Sequence, residues 1–371
     1  MELVAEFVRL CEIESVSRNE RAMADAVAEV LRGELGLEVH EDGTAAETGS
    51  NAGNLLARIP PPSDDARTIL LCAHLDTVPL DAPVEVEEVE GVLRNRNEAI
   101  LGADNKAAVA VILAAARRLL AGGERPPVGV EILFTTCEEL ALHGAKEFDL
   151  SQISSEYGYV FDHASPIGEV ITAAPTHFTI EGRFRGKAVH AGICPEKGHN
   201  AIEAASAAVA AMRLGRLDPQ TTANVGRIEG GTASNVVAER CYVQCEARSI
   251  DHERAGAVAT SIVDAMTEAA SDRECDLEIH VEELFRGYRV PRSTAAVDVA
   301  TRALQEAGIE PQPISTGGGS DANAFQARGF QCVNLANGTK GAHQPDESVT
   351  VDALETMLDV VLGLVRHSAA A

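Results

Sequence analysis

The sequence predicts an α/β protein in which a mixed, largely parallel sheet is flanked by helices and interrupted by a smaller inserted α+β domain. First, short apolar runs typical of strands buried on both faces alternate with helical segments over the first half of the chain. Second, the pattern changes near Thr176, where polar and apolar residues begin to alternate as in half-exposed antiparallel strands. We therefore assign residues 1–175 and 286–371 to one domain and residues 176–285 to the insertion.

The elements of the first domain follow from the spacing of its apolar residues. Helical periodicity predicts helices at residues 2–11 and 19–35, and Gly36 is a plausible stop for the second. The remaining elements are strands at 54–60 and 69–79, an acidic exposed hairpin at 83–94, a helix at 107–121, strands at 128–135 and 157–161, a helix at 294–307, a strand at 331–335 and a helix at 351–365.

The insertion shows a second, self-contained order of elements. Strands are predicted at 176–189, 223–228, 236–248 and 277–285, with helices at 200–214 and 251–270. The resulting order, β-α-β-β-α-β, is that of a ferredoxin-like unit.

Composition restricts the partners and the compartment. The 371 residues have a formal net charge of −26, whereas nucleic acids and anionic membranes bind basic patches, so we expect neither as a partner. An acidic surface of this kind keeps a protein soluble or reflects a salt-adapted host.

The eight cysteines form no Cys-x-x-Cys pair, and the first residues lack a signal-peptide pattern, so we expect a reducing cytoplasm. No apolar run is long enough to span a membrane.

The strand at 69–79 ends in a pair of polar residues, His74 and Asp76. Residues i and i+2 of a strand point to the same face, so the imidazole and the carboxylate emerge side by side. A carboxylate beside a histidine is a common way to orient a metal-binding imidazole, although such a pair is more often structural.

Other potential metal ligands also follow strands or open a helix, where ligands bind in open α/β sheets. They are Asp104 before the helix at 107–121, Glu138 and Glu139 after one strand, Asp162 after another, and His343 in the loop after the last strand. Singly, each has an ordinary explanation: a helix N-cap, a solvated loop or a surface histidine. Together, two histidines and several carboxylates suit zinc, or cobalt or manganese, and a paired metal site needs a bridging carboxylate and a base.

Eight segments spread over nearly the whole chain resemble the di-zinc metallopeptidase family that contains tripeptidase T, carboxypeptidase G and the succinyl-diaminopimelate desuccinylases. They are His-Leu-Asp-Thr-Val-Pro at 74–79, Gly-Ala-Asp-Asn-Lys at 102–106, Cys-Glu-Glu at 137–139, Phe-Asp at 161–162, Val-His-Ala-Gly at 189–192, Gly-Gly-Thr-Ala-Ser-Asn at 230–235, Glu-Ala-Arg at 246–248 and Gly-Ala-His at 341–343. The segments at 190–198 and 315–323 resemble the tripeptidase T-like branch most, whereas residues 337–340 replace the Thr-Gly-Gly found there in tripeptidase T.

The resemblance implies a zinc exopeptidase-like catalytic domain that binds two Zn²⁺ ions per subunit, with Co²⁺ or Mn²⁺ as alternatives. His74 and Asp162 would bind one ion, Glu139 and His343 the other, and Asp104 would bridge them. Asp76 would orient His74, and Glu138 would be the general base. The insertion would be a lid and dimerisation domain, with His190 reaching into the active site of the partner in a homodimer.

The expected function is metal-dependent hydrolysis of amide bonds in short peptides, of the tripeptidase or aminopeptidase kind. Arg248 and Asn235, with the backbone amides of Gly317, Gly318 and Gly319, are candidates for binding the substrate carboxylate. Arg248 could equally form a surface ion pair.

Alternatives remain at this stage. An N-acyl amino acid deacylase or carboxypeptidase would use the same chemistry, and a non-catalytic metal-bearing scaffold could bind peptides without turnover. A nucleotide site at Gly317–Gly319 is disfavoured because no Gly-Lys-Ser/Thr follows. Cys194 near His190 is better explained as a packed thiol than as a nucleophile.

Overall fold

The computed structural model describes residues 2–123 and 125–370, and most of its regular elements lie where the sequence predicts them. The helices are α1 (Glu2–Cys11), α2 (Arg21–Glu29), α3 (Ala45–Thr48), α4 (Ala103–Leu120), α5 (His143–Glu147), α6 (Ala201–Ala211), α7 (His252–Asp272), α8 (Ala295–Glu306), α9 (Asp321–Ala327) and α10 (Val351–Ser368). The strands are β1 (Val39–Glu41), β2 (Leu55–Ile59), β3 (Thr68–His74), β4 (Val86–Val89), β5 (Val92–Asn95), β6 (Gly129–Thr135), β7 (Tyr157–His163), β8 (Glu169–Ala174), β9 (Thr176–Arg185), β10 (Gly215–Asp218), β11 (Thr221–Gly230), β12 (Arg240–Ser249), β13 (Asp276–Phe285), β14 (Tyr288–Arg289), β15 (Gln312–Ser315), β16 (Cys332–Ala336) and β17 (Ser348–Thr350).

The internal contacts divide the chain into two units. Unit 1 comprises the described residues up to Thr172, Val290–Ser315 and the described residues from Ser320 onward, and unit 2 comprises Ala173–Arg289 and Thr316–Gly319. Thr316–Gly319 lies outside the predicted insertion but groups with it. In unit 2 the glycine at 319 lies against the ring of Phe285, so closely that a Cβ there would stand 2.4 Å from a ring carbon. The assignment of catalytic and lid roles to the domains stays a prediction.

The main sheet of unit 1 has a parallel centre. Strands β6, β3, β7 and β16 lie side by side in parallel, and β2 and β8 flank them in antiparallel orientation. β3 and β6 are buried along nearly their whole length, which explains their unbroken apolar runs. Because the four central strands are parallel, their carboxyl ends meet at one edge of the sheet, and the loops that follow them lie together.

Helix α4 is the central helix of unit 1. Its residues from Asn105 to Ala116 are all buried, and α1 and α10 pack against it. Small alanines dominate this stretch, which allows close helix approach on several sides. The predicted start at residue 107 differs from Ala103 because Asp104 and Asn105 have non-helical backbone angles (φ −82°, ψ 102° and φ −119°, ψ 23°). Asp104 is thus held at an irregular entrance to a rigid helix.

Unit 2 has the predicted split β-α-β topology. Its sheet is antiparallel in the order β10-β11-β12-β9-β13, and α6 and α7 pack on it over a core that includes Ile180, Phe184, Val243 and Met266. The predicted fold class, a largely parallel sheet with an inserted ferredoxin-like domain, is therefore confirmed.

Several short elements were not predicted: α3, α5, α9, β1, β8, β10, β14, β15 and β17. Most are too short for a periodic pattern, and pairing with distant neighbours rather than local sequence defines them. β17, for example, extends the predicted acidic hairpin by pairing with β5.

All eight cysteines are free thiols. In the part of the chain that the structure describes, no helix combines the length and the apolar character needed to cross a bilayer.

Candidate metal centre and substrate-binding residues

His74, the last residue of β3, is buried with one ring nitrogen anchored. Its Nδ1 lies 2.9 Å from the backbone carbonyl oxygen of Asp76 and 3.4 Å from the Asp76 carboxylate. A carbonyl oxygen only accepts, so Nδ1 donates to it, and Nε2 of the neutral ring keeps its lone pair for a ligand. The shorter contact is with the carbonyl, whereas the sequence predicted orientation by the carboxylate.

The carboxylate of Asp76 holds a different loop. It accepts the backbone N–H groups of Glu138 (3.0 Å) and Glu139 (3.1 Å) and the hydroxyl of Ser17 (2.6 Å). Asp76 is fully buried, so these charge-assisted hydrogen bonds are shielded from water. The end of β3 thereby fixes the loop that follows β6 and, with it, the two glutamates.

Five side chains converge at the carboxyl edge of the sheet in two groups that share Asp104. In one, His74 Nε2 lies 3.4 Å from Asp104 Oδ1 and 3.7 Å from Asp162 Oδ1. In the other, His343 Nε2 lies 2.8 Å from Glu139 Oε1 and 3.6 Å from Asp104 Oδ2. Within each group the potential ligand atoms all lie within 4.8 Å of one another. The two oxygens of Asp104 therefore point to different groups.

The electrostatics of these side chains fit a cation. Burial disfavours the imidazolium of His74, yet the carboxylates of Asp104, Asp162 and Asp76 raise its pKa well above the ordinary value. The hydrogen bond to Glu139 raises the pKa of His343 to about 9. Oδ1 of Asp104 is buried without a hydrogen-bond partner among the described residues. Buried carboxylates need compensation by positive charge, and this N/O donor set is one that divalent zinc, cobalt or manganese accepts.

Glu138 differs from its neighbour Glu139. Burial, reinforced by the charge of Asp162, raises the pKa of Glu138 well above its ordinary value. Its carboxylate lies close to His74 and Glu139 but belongs to neither of the groups that share Asp104. A carboxylate with a raised pKa beside a cation site is suited to accept and return a proton.

Sequence inspection missed the side chains that support the ligand loops. Asn334 on β16 accepts the backbone N–H of Asp162 (2.9 Å) and donates to its carbonyl oxygen (2.8 Å). Asp321 accepts a hydrogen bond from Thr135 at 2.5 Å, and burial raises its pKa to about 7. Glu347 accepts three backbone N–H groups around Asp104. Isolated polar residues in loops and strands offer no periodic signal, although Glu347 follows His343 by only four positions.

His190 and Asn235 belong to unit 2, where their segments adjoin. The N–H of Ala191 donates to the carbonyl oxygen of Asn235 (2.9 Å), and the N–H of Gly192 donates to Nδ1 of His190 (3.1 Å). Because Nδ1 accepts, the neutral ring must have its proton on Nε2. His190 is exposed in the isolated chain and presents an N–H donor.

Arg248 is already engaged within unit 2. Its Nη2 (3.0 Å) and Nε (3.3 Å) donate to Glu246, and Nη1 donates to the carbonyl oxygen of Gly317 (3.1 Å). These bonds use three of the five guanidinium N–H groups, leaving one on each terminal nitrogen. At the glycine loop, the N–H of Gly318 donates to the hydroxyl of Thr316 (3.2 Å). Of the three loop amides predicted to bind the substrate carboxylate, that of Gly318 is therefore already hydrogen-bonded. Gly317 uses its carbonyl oxygen to accept from Arg248.

Comparison with known proteins places these features in a family. The sequence pattern of peptidase family M20/M25/M40 matches residues 70–367. A Bacillus subtilis (strain 168) protein, uncharacterized protein YqjE, is 34% identical over 367 residues, which cover 99% of this chain and 98% of that protein. The crystal structure of aminopeptidase PepT from Bacillus cereus superposes with a TM-score of 0.90 at 35% identity, covering 100% and 98% of the two chains. A tripeptidase from Staphylococcus aureus gives 0.94 at 29% identity with the same coverage.

The chain belongs to peptidase family M20/M25/M40 and is a hydrolase. The predicted resemblance to the tripeptidase T-like branch is confirmed, as is the prediction of metal-dependent peptide hydrolysis at the level of the family and its named relatives. The individual roles assigned to site residues stay predictions.

Proposed function

We propose that this chain is a zinc-dependent aminopeptidase that removes the first residue from short peptides and acts as a cytoplasmic homodimer. The observation that most directly supports the proposal is the Asp104 carboxylate, which faces His74 and Asp162 with one oxygen and His343 and Glu139 with the other. A carboxylate between two histidine–carboxylate pairs is what a bridged two-metal site requires.

The residues that would hold the metal ions are His74 and Asp162 for one, Glu139 and His343 for the other, and Asp104 for both. When bound, the ions would polarise the scissile carbonyl and acidify the attacking water. His74 presents Nε2 because Asp76 anchors Nδ1. Asp76 also fixes the backbone of Glu138 and Glu139, so a single buried carboxylate aligns a ligand and the base.

Glu138 is the general base in this proposal. Its carboxylate accepts a proton from the attacking water, holds it as the carboxylic acid that its buried site favours, and donates it to the leaving amine. Backbone anchoring by Asp76 keeps it beside the ligands without making it one of them.

The oxyanion would receive a hydrogen bond from Nε2–H of His190. The Gly192 N–H fixes the tautomer that this role needs. Exposure of His190 in the isolated chain fits a residue whose target belongs to a second copy, as the family resemblance implies.

The substrate carboxylate would bind the two remaining N–H groups of Arg248, assisted by Asn235 and the loop Gly317–Gly319. Glu246 and the Gly317 carbonyl oxygen hold the guanidinium in one orientation, which lowers the entropy lost on binding.

We expect Arg248→Ala to lose about 2–3 kcal/mol of transition-state binding with a free tripeptide, because a charged hydrogen-bond partner is removed. This corresponds to roughly 30- to 160-fold in kcat/KM. The C-terminal amide of the same peptide should be affected little. The matched control is Arg254→Ala, whose guanidinium pairs with Asp218 elsewhere in unit 2. Equal losses on acid and amide would show that Arg248 has only a structural role.

A substrate panel tests the proposed function against its alternatives. A tripeptide with a free amino group should be cleaved after its first residue, and the N-acetylated form should resist. Preferential cleavage of N-acyl amino acids would favour the deacylase, release of the last residue would favour the carboxypeptidase, and zinc binding without any turnover would favour the scaffold.

A further inference from the structure

Glu347 is a buried carboxylate with no role in the reaction described above. Its Oε2 accepts the backbone N–H groups of Leu101 (2.8 Å) and Gly102 (2.7 Å), and its Oε1 accepts the N–H of Asp104 (2.8 Å). The residue is only 1% exposed. Both oxygens are therefore committed to the short loop that leads into α4 and contains Asp104.

Glu347 also belongs to the loop that contains His343. Lys340 and Ser348 close this loop by a pair of backbone hydrogen bonds of 2.8 and 3.0 Å, and the N–H of Glu347 donates to the carbonyl oxygen of Gln344 (3.0 Å). His343 has a left-handed backbone conformation (φ 65°) inside this closed loop. Movement of Glu347 would therefore shift both the His343 loop and the Asp104 loop.

From these contacts we infer that Glu347 is a positioning residue that braces the loop of Asp104 against the loop of His343 and so sets the metal affinity of the centre. The inference rests on the proposed function, because it requires that Asp104 and His343 bind metal. Asp104 has to reach both ligand groups at once, and its irregular backbone does not fix it by helix geometry alone. The three hydrogen bonds from Glu347 provide that fixation.

A purely structural role is the competing explanation, since a buried carboxylate also caps the entrance to α4. Glu131 offers a matched comparison within unit 1. It is also 1% exposed and accepts the backbone N–H groups of Ser154 (2.9 Å) and Ser155 (3.0 Å), but it belongs to neither ligand loop. Glutamine in place of either glutamate exchanges one acceptor oxygen for an NH₂ group that cannot accept a loop N–H, and only Glu347 adjoins the ligands.

The test compares Glu347→Gln, Glu347→Asp and Glu131→Gln with the unaltered chain. Zinc affinity is measured by competition with a chelator of known affinity, and hydrogen exchange is followed at the amides of Leu101, Gly102 and Asp104 in metal-free protein. We expect both Glu347 variants to bind zinc about 10- to 100-fold more weakly, as loss of a supporting residue typically causes, with faster exchange at the three amides. Glu131→Gln should keep the zinc affinity.

Two results would overturn the inference. One is wild-type zinc affinity in both Glu347 variants. The other is an equal loss in Glu131→Gln, which would reduce the effect to general stability. If Glu347→Gln does not fold, Glu347→Asp keeps the charge with a shorter side chain and decides by the same two measurements. Zinc uptake by the unaltered chain tests the proposed metal centre separately. The exchange rates of the three amides report on their hydrogen bonds to Glu347 and do not require bound metal.

Discussion

Glu138→Gln should lower turnover of a tripeptide by about 10²–10⁴-fold while the protein retains its full zinc content. The amide is isosteric with the carboxylate but cannot accept the proton of the attacking water. Backbone anchoring by Asp76 does not depend on the Glu138 side chain, so the ligand loop should stay in place. The measurement is kcat for one peptide together with elemental analysis of the purified variant.

Glu156→Gln, in an exposed ion pair with Arg67, serves as the control for a neutralised glutamate. Loss of one equivalent of zinc in Glu138→Gln would mean that Glu138 binds metal and that the roles of Glu138 and Glu139 have to be exchanged. His74, Glu138 and Glu139 lie close enough together to form a third potential ligand group, so the experiment distinguishes which of the two glutamates binds metal.

His190→Ala should reduce kcat by about 10²–10³-fold, as removal of one oxyanion donor does elsewhere. If the donor acts across a dimer, mixing inactive Glu138→Gln with inactive His190→Ala protein should restore activity. With free subunit exchange, half of the dimers are mixed and each has one complete site, which gives about a quarter of the wild-type activity.

His280→Ala is the control for this experiment, since its side chain is exposed on β13 of the same unit. Exchange has to be verified independently, for example with two differently labelled subunits. Exchange without any recovered activity would exclude action of His190 in a partner's site.

Sequence periodicity was sufficient for the architecture because long elements have strong patterns. The apolar run of β3 and the alternation in β9 follow directly from burial on two faces or one. The change at Thr176 was therefore visible without coordinates. The grouping of Thr316–Gly319 with unit 2 could not be predicted from sequence. Gly319 packs against Phe285, which is distant in sequence.

The candidate ligands were also accessible from sequence, since each follows a strand of a parallel sheet or opens a helix. The residues that hold the ligand loops in place could not be predicted. Asn334 and Glu347 bond backbone groups remote in sequence, and Asp321 accepts from the distant side-chain hydroxyl of Thr135. Nothing in a single sequence distinguishes these three from other buried polar residues. The partner of Arg248 was likewise hidden, although Glu246 lies on the same face of β12 two residues away.

Titration of the metal-free enzyme with zinc tests whether the chain holds two metal ions bridged by Asp104. The protein is stripped with a chelator, zinc is added back in known equivalents, and release of the first residue of a tripeptide is followed. The proposed function predicts no hydrolysis by the stripped protein and recovery that reaches its plateau at two equivalents per chain. Full activity in the stripped protein, or a plateau at one equivalent, would contradict a centre in which Asp104 bridges two metal ions.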